Sequence, residues 1–199
     1  MAGLRLGVLG GTFDPVHVGH LILAELARTQ LLLDRVLFIP AGDPWRKASR
    51  AVTPGEHRLA MVRLAIADNP AFDVDEREVR RPGPSYTSET LRELRAGLAS
   101  GDEIYFLLGE DALSDLPNWH DPTEILRSAR LAVAPRGGAA APPSALTEAR
   151  VVRVEMPYIG ISSSDLRERV RRGLGLRYLV PPSVEAYVRE RGLYRAGER

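Results

Sequence analysis

The chain has no cysteine, which removes disulfides, thiolate catalysis and cysteine-ligated zinc in one stroke. It has a single lysine, Lys47, among 27 basic residues. The positive charge is therefore almost all arginine, a bias that reads as genome composition rather than function. Acidic residues nearly balance it, and the net charge of +1 supplies no field to gather nucleic acid or an anionic membrane. A basic strip interleaved with aromatics is missing too, so no nucleic-acid partner is expected. No apolar run approaches the ~20 residues of a membrane span. The opening run turns to glycine too soon for a signal peptide, and the expected location is cytoplasmic.

What remains is an ordinary globular composition, 44% hydrophobic and 27% charged over 199 residues. That length suits one substantial core rather than two full domains. The expectation is a single domain over 1–199 with a helical C-terminal part from about residue 161. Short apolar runs alternate with longer amphipathic ones. Leu4–Leu9, Arg35–Pro40, Phe72–Val79, Glu103–Gly109, Arg130–Pro135 and Val151–Met156 read as strands, several too apolar to have a wet face. Helical patterns lie at His20–Leu33, Thr53–Asp68 and Thr87–Ala99. The second of these shows Thr53 as a cap, Pro54 in the first turn and Glu56 three residues on, the pattern of a capping box. Strand–helix alternation of this kind predicts an α/β protein with a doubly wound, mostly parallel sheet. Gly137–Ala145 reads as a loop between two late strands.

Histidine is scarce, with four in the chain, and two of them fall three residues apart in GTFDPVHVGH, Gly11–His20. Gly10 and Gly11 stand where the first strand should end. Ligands of open α/β sheets bind beyond the carboxyl ends of strands, where glycines admit a phosphate and the next helix offers N–H groups. The glycine spacing is not G-x-G-x-x-G, and the second strand ends in Pro40 with no carboxylate for a ribose, which argues against a nicotinamide-dependent oxidoreductase. With a helix beginning near Val16–Val18, His17 and His20 share a face at its first turn and can donate to phosphate oxygens. Two other readings stay open. A metal site needs a third ligand, which neither His57 nor His120 supplies at a suggestive spacing, so no protein-held metal is expected. A capping or packing role is the other.

GTFDPVHVGH resembles the G-x-F-D-P-x-H-x-G-H signature of the nucleotidyltransferases, and ISSSDLR (Ile161–Arg167) resembles their second signature, I-S-S-T-x-I-R. FIPAGDP, HRLAM, RPGPSYTSETLREL, FLLGEDALSDLPNWHDPTEIL and VPPSVEAYV resemble, in order, the blocks of the bacterial nicotinate-nucleotide adenylyltransferases. The resemblance spans nearly the whole chain. One departure follows AGDP, where the usual Pro-His-Lys is replaced by Trp45, Arg46 and Lys47.

The resemblance implies a Rossmann-like nucleotidyltransferase fold. It also implies transfer of the adenylyl group of ATP to nicotinate mononucleotide, with magnesium arriving on the ATP. Nicotinamide mononucleotide or phosphopantetheine is the alternative acceptor, and a homo-oligomer is compatible with all of this. The implied catalytic groups are His17, His20 and Arg167. The implied ATP contacts are Gly10, Gly11, Thr12, Phe13, His17, His20, Gly109, Asp111, Ile161, Ser162, Ser163 and Arg167, with Asp111 near the ribose. Ser162 followed by Asp165 is also a plain capping box, and Asp111 is also a candidate N-cap. A nicotinate ring needs a stacking plane and N–H donors for its carboxylate. Trp119 is the expected plane, and backbone groups around Tyr86, Thr87, Trp119 and His120 are the expected donors. Lys47 is placed against a phosphate, with a solvated lysine as the plain alternative.

Overall fold

A computed structural model of the chain describes residues 3–43, 52–135 and 150–196. Among the described residues, six strands and eight α-helices follow one another as β1 (Arg5–Gly11), α1 (Val18–Gln30), β2 (Arg35–Pro40), α2 (Gly55–Ile66), β3 (Phe72–Val74), α3 (Arg77–Arg80), α4 (Thr87–Ala96), β4 (Glu103–Gly109), α5 (Glu110–Asp115), α6 (Pro122–Ser128), β5 (Arg130–Ala134), β6 (Val151–Arg153), α7 (Ser163–Arg171) and α8 (Pro182–Glu190). The strands form one sheet in the order β3-β2-β1-β4-β5-β6. The pairings β1–β4, β4–β5 and β5–β6 are parallel. The expected doubly wound α/β architecture is present, with the strand order reversing at β1. Among the described residues no helix is long and apolar enough to cross a membrane.

By contact density the chain divides into two compact units. The first comprises residues 1–10, 22–37 and 86–159, and the second residues 11–21, 38–85 and 160–199. In the first, Ile104–Leu108 of β4 and Leu131–Ala134 of β5 are buried without a break, as expected of strands covered on both faces. Gly7 of β1 lets Leu33 and Val36 pack where a side chain would stand, since a Cβ there would lie 2.8 Å from Leu33 Cδ1. Aspartates tie the loops to the strands: Leu4 N–H donates to Asp102 (2.8 Å) and Arg5 N–H to Asp34 (2.7 Å).

In the second unit, α2 buries Leu59, Met61, Val62, Ala65 and Ile66, and α8 buries Val184 and Val188. His57 of α2 meets the Tyr187 hydroxyl of α8 through Nδ1 at 2.9 Å. Phe38 of β2 packs between Phe13 and Phe72, with ring centroids 5.9 and 5.3 Å away.

Two local expectations are corrected. The run Phe72–Val79 is not one strand: β3 stops at Val74 and α3 begins at Arg77. Asp75 makes the break. Its carboxylate accepts the Arg77 backbone N–H and its guanidinium Nε, both at 2.8 Å, a local turn that outcompetes strand pairing. Thr53 is likewise not the cap of α2. The N-cap is Pro54, with no side-chain cap bond. Thr53 instead gives its carbonyl to Arg58 Nε at 2.7 Å and its N–H to Asp14 at 3.4 Å. The loop expected at Gly137–Ala145 lies outside the described residues.

Candidate active site

In the second unit the loop after β1 leads into α1. His17 directly precedes the helix, and its carbonyl accepts the N–H of His20 (2.9 Å) and of Leu21 (3.4 Å). His20 sits at the third helical position and turns back, so that its Nδ1 accepts the His17 backbone N–H at 3.2 Å. A histidine here does what glutamate or glutamine does in a capping box. The same bond sets the tautomer. With Nδ1 an acceptor, the neutral ring carries its proton on Nε2, the donor a phosphate oxygen requires. The two imidazoles stack at 3.7 Å between centroids and 25° between planes. Phe13 supports them edge-on, 5.0 Å from His20. The capping bond of His20 engages Nδ1 of the ring.

The loop itself is tightly folded. Phe13 is buried at φ 50°, in the left-handed region that non-glycine residues hold only when the surroundings enforce it. Gly11 makes room for that ring, as a Cβ on it would lie 3.0 Å from the Phe13 edge. The peptide Asp14–Pro15 is cis. One expectation is corrected here. The first turn of α1 does not simply present its N–H groups to a ligand: Val18 N–H donates to Leu179 O (3.1 Å), and His20 N–H returns to His17 O.

The second motif returns to the same loop. Ser163 Oγ donates to Pro15 O at 2.9 Å, and Arg167 Nη1 donates to Asp14 O at 2.6 Å, across 148 and 153 residues of sequence. Arg167 is 7% exposed, and its other arm donates to Ser164 Oγ at 3.2 Å. Ser162 is the N-cap of α7. Its Oγ accepts Asp165 N–H (3.1 Å) and donates to the Asp165 carboxylate (2.7 Å), so the capping role is realised. Ile161 precedes it, half-buried.

Asp14, 2% exposed, is the residue on which these contacts converge, and sequence reading passed over it. Its carboxylate accepts the Tyr194 hydroxyl at 2.8 Å and lies 3.8 Å from Arg167 Nη1. Burial, then the Asp14 charge, push the Tyr194 phenol far above the ordinary tyrosine range, so it remains a donor. The signal for Asp14 was its place inside the quoted motif. Tyr194 carried none beyond being an aromatic near the end of the chain.

Of the expected acceptor-side residues, Tyr86, Thr87, Trp119 and His120 belong to the first unit. Tyr86 is the N-cap of α4 and Thr87 its first residue. The Tyr86 and His120 rings stack at 4.1 Å and 21°, and His120 Nδ1 lies 3.1 Å from Ser88 Oγ. Trp119 is half-buried; its Nε1–H donates to Asp115 at 3.2 Å and its ring stands edge-on to Phe106 at 6.1 Å. The Trp119 backbone N–H is not a ligand donor, because it closes a 3-10 turn on Leu116 O at 3.0 Å. Gly109 ends β4 and is the N-cap of α5, so the capping alternative for Asp111 does not hold; Asp111 is an exposed residue of that helix's first turn. Gly10, near the end of β1, is exposed. Lys47, with Trp45 and Arg46, lies outside the described residues.

The family model described as cytidylyltransferase-like matches residues 8–169. A protein of Roseiflexus sp. (strain RS-1), named "Probable nicotinate-nucleotide adenylyltransferase", is 50% identical over 98% of this chain and 100% of its own. One of the same name from Dehalococcoides mccartyi (strain CBDB1) is 45% identical over 98% of each chain. Among solved structures, the Plasmodium falciparum nicotinic acid mononucleotide adenylyltransferase complexed with NaAD superposes with a TM-score of 0.81 over 96% of this chain and 97% of its own, at 16% identity. That last likeness establishes the shared fold.

Proposed function

The chain belongs to the cytidylyltransferase-like family, and within it to the nicotinate-nucleotide adenylyltransferases, and on that premise we propose that it joins ATP and nicotinate mononucleotide into nicotinate adenine dinucleotide, releasing pyrophosphate, in the biosynthesis of NAD. The attacking atom is a phosphate oxygen of the mononucleotide, already ionised. It bonds to the α-phosphorus of ATP, the bond from that phosphorus to the bridging oxygen breaks, and pyrophosphate leaves with the electron pair. No protein nucleophile is required, which suits a chain without cysteine.

Catalysis then consists of holding both substrates in line and stabilising charge on the phosphates. The proposed donors are His20 through Nε2, its stacked partner His17, the backbone N–H groups of Gly11–Phe13, and the guanidinium of Arg167. Ser162 and Ser163 bring the start of α7 to the same phosphates. Gly10, Thr12, Gly109, Asp111 and Ile161 complete the proposed ATP contacts. For the acceptor, Trp119 offers a plane and the Thr87 end of α4 offers N–H groups to the carboxylate, with Tyr86 and His120 beside them. Lys47 is proposed for the acceptor's phosphate.

Magnesium enters as part of the MgATP substrate, held chiefly by phosphates and water. Among the described residues no group of three His, Cys, Asp or Glu side chains is arranged to hold a metal, and the Asp14 carboxylate already serves Tyr194 and Thr53.

The observation that supports this reading most directly is the pair of bonds from Ser163 and Arg167 to the Pro15 and Asp14 carbonyls, which bring both nucleotidyltransferase motifs to the stacked histidines. The test is product analysis. Full-length protein with magnesium, ATP and nicotinate mononucleotide is expected to form pyrophosphate and dinucleotide in equal amounts. ATP cleavage without dinucleotide would contradict the proposal.

A further inference from the structure

Arg58 stands in the first turn of α2 and belongs to neither nucleotidyltransferase motif. It is 1% exposed, and its guanidinium hydrogen-bonds to carbonyls rather than to a carboxylate. Nε donates to Thr53 O (2.7 Å), Nη1 to Thr12 O (2.9 Å) and to Ala41 O (2.6 Å), and Nη2 to Gly42 O (2.9 Å). One planar fork thus gathers the loop after β1, the segment after β2 and the approach to α2. Burial pushes its pKa below the ordinary arginine value, with the Asp14 charge opposing the shift. A desolvated cation is a costly way merely to join three segments, since apolar packing does that without the penalty. Its planar geometry is what apolar packing cannot supply.

We propose that Arg58 is a positioning residue for phosphate binding: by holding the Thr12 carbonyl it turns the Phe13 N–H toward the ligand. In a planar trans peptide the C=O of one residue and the N–H of the next point in opposite directions. With Thr12 O drawn onto Arg58, the Phe13 N–H faces away from the guanidinium. The neighbouring peptide obeys the same rule: Ala41 O is drawn onto Arg58, and the Gly42 N–H beyond it reaches Ser85 Oγ at 2.9 Å. The Thr12–Phe13 peptide needs such a restraint because Phe13 sits at φ 50°, a conformation that relaxes unless its surroundings hold it. The segment on the other side of the fork is tied to the same loop, with Ala41 N–H on Gly11 O at 2.9 Å.

This inference rests on the adenylyl-transfer reading for its ligand, and Arg58→Lys separates charge from geometry. Lysine keeps the positive charge but cannot reach four carbonyls in one plane. The expected result is a folded Arg58→Lys protein with kcat lowered about 30–100-fold and KM for nicotinate mononucleotide within about 3-fold of wild type, the signature of a lost transition-state donor. Arg58→Ala is expected to recover at least about fivefold in rate when guanidinium chloride is added, and not with ammonium chloride, because the carbonyl cage fits the planar ion. A folded Arg58→Lys or Arg58→Ala with kcat within about 3-fold of wild type would overturn the proposal. So would failure of both variants to fold with guanidinium present, which would make Arg58 a staple of the fold and nothing more. Should the wild type show no transferase activity, the functional reading fails on its own. Calorimetric binding of inorganic pyrophosphate still decides the present one, with about tenfold weaker binding expected for Arg58→Lys and equal binding counting against it.

Discussion

In the unit that holds Asp14, buried and half-buried polar side chains turn toward backbone: buried Arg167 onto the Asp14 carbonyl, half-buried Ser163 onto that of Pro15, half-buried His20 onto the His17 N–H. In the unit that holds Trp119, ring meets ring, with Tyr86 stacked on His120 and Trp119 edge-on to Phe106, and His120 lies at the surface. The contrast follows from what each region is proposed to bind. A triphosphate in transfer carries charge that donors fixed in a low-dielectric frame stabilise without reorganising. A pyridine ring asks for a flat apolar plane and a few hydrogen bonds. The first demand couples many residues rigidly. The second leaves them more independent.

That contrast predicts a gradation of effects. The largest is expected at His20. His20→Ala removes both the Nε2 donor and the acceptor that holds the His17 N–H, and kcat should fall at least ~100-fold while the protein still folds. A soluble variant with near-normal turnover would show that the imidazole caps the helix and does nothing more. Next comes Trp119→Ala, expected to raise KM for nicotinate mononucleotide about tenfold and KM for ATP by less than about twofold, in line with a stacking loss of roughly 1–1.5 kcal/mol. Equal shifts in both KM values would dissolve the distinction between the two regions, and no shift would return Trp119 to packing alone.

The smallest kinetic effect is expected at Tyr194, which touches the phosphate loop only through Asp14. Tyr194→Phe leaves a buried carboxylate short of one donor, worth about 1.5–3 kcal/mol, and the melting temperature should fall by roughly 4–10 °C for a chain of this size. The pH dependence has a definite sign. Burial raises the folded-state pKa of this phenol above its unfolded value near 10, so its contribution is complete below that pH and declines as pH rises beyond it. The stability gap between wild type and Tyr194→Phe should be flat from neutral pH to about 9 and narrow above 10. A gap that widens with alkaline pH would contradict the bond to Asp14.

The same contrast explains what was readable in the sequence. Strands β2 and β4 were legible to the residue because continuous apolar runs bounded by Pro40 and Gly109 admit little else. His17, His20, Ser162, Ser163 and Arg167 stand in motifs whose spacing is local, and the fold ties Ser163 and Arg167 to the loop that carries the two histidines. Buried charge was not legible. Arg58 stands in the HRLAM block, but nothing local names its partners, although it shares a face with Val62 and Ala65 at i+4 and i+7, both buried. Asp14 and Tyr194 are 180 residues apart, and no periodicity connects them. Local turn chemistry hid the rest: Asp75 ends β3 early, and Pro54 rather than Thr53 is the N-cap of α2.

Adenylyl transfer to a nicotinate nucleotide is the central claim, and the acceptor preference tests it most directly. The nicotinate carboxylate can accept from the N–H groups at the start of α4, in charge-assisted bonds worth about 1.5–3 kcal/mol each. Nicotinamide presents an N–H₂ in place of one oxygen, and against a donor that group finds no acceptor. Pyrophosphate release from MgATP, measured with nicotinate mononucleotide, nicotinamide mononucleotide and phosphopantetheine in turn, is predicted to give kcat/KM at least ~100-fold higher for the nicotinate substrate than for either of the others. Comparable values for the two mononucleotides, or a preference for phosphopantetheine, would contradict it.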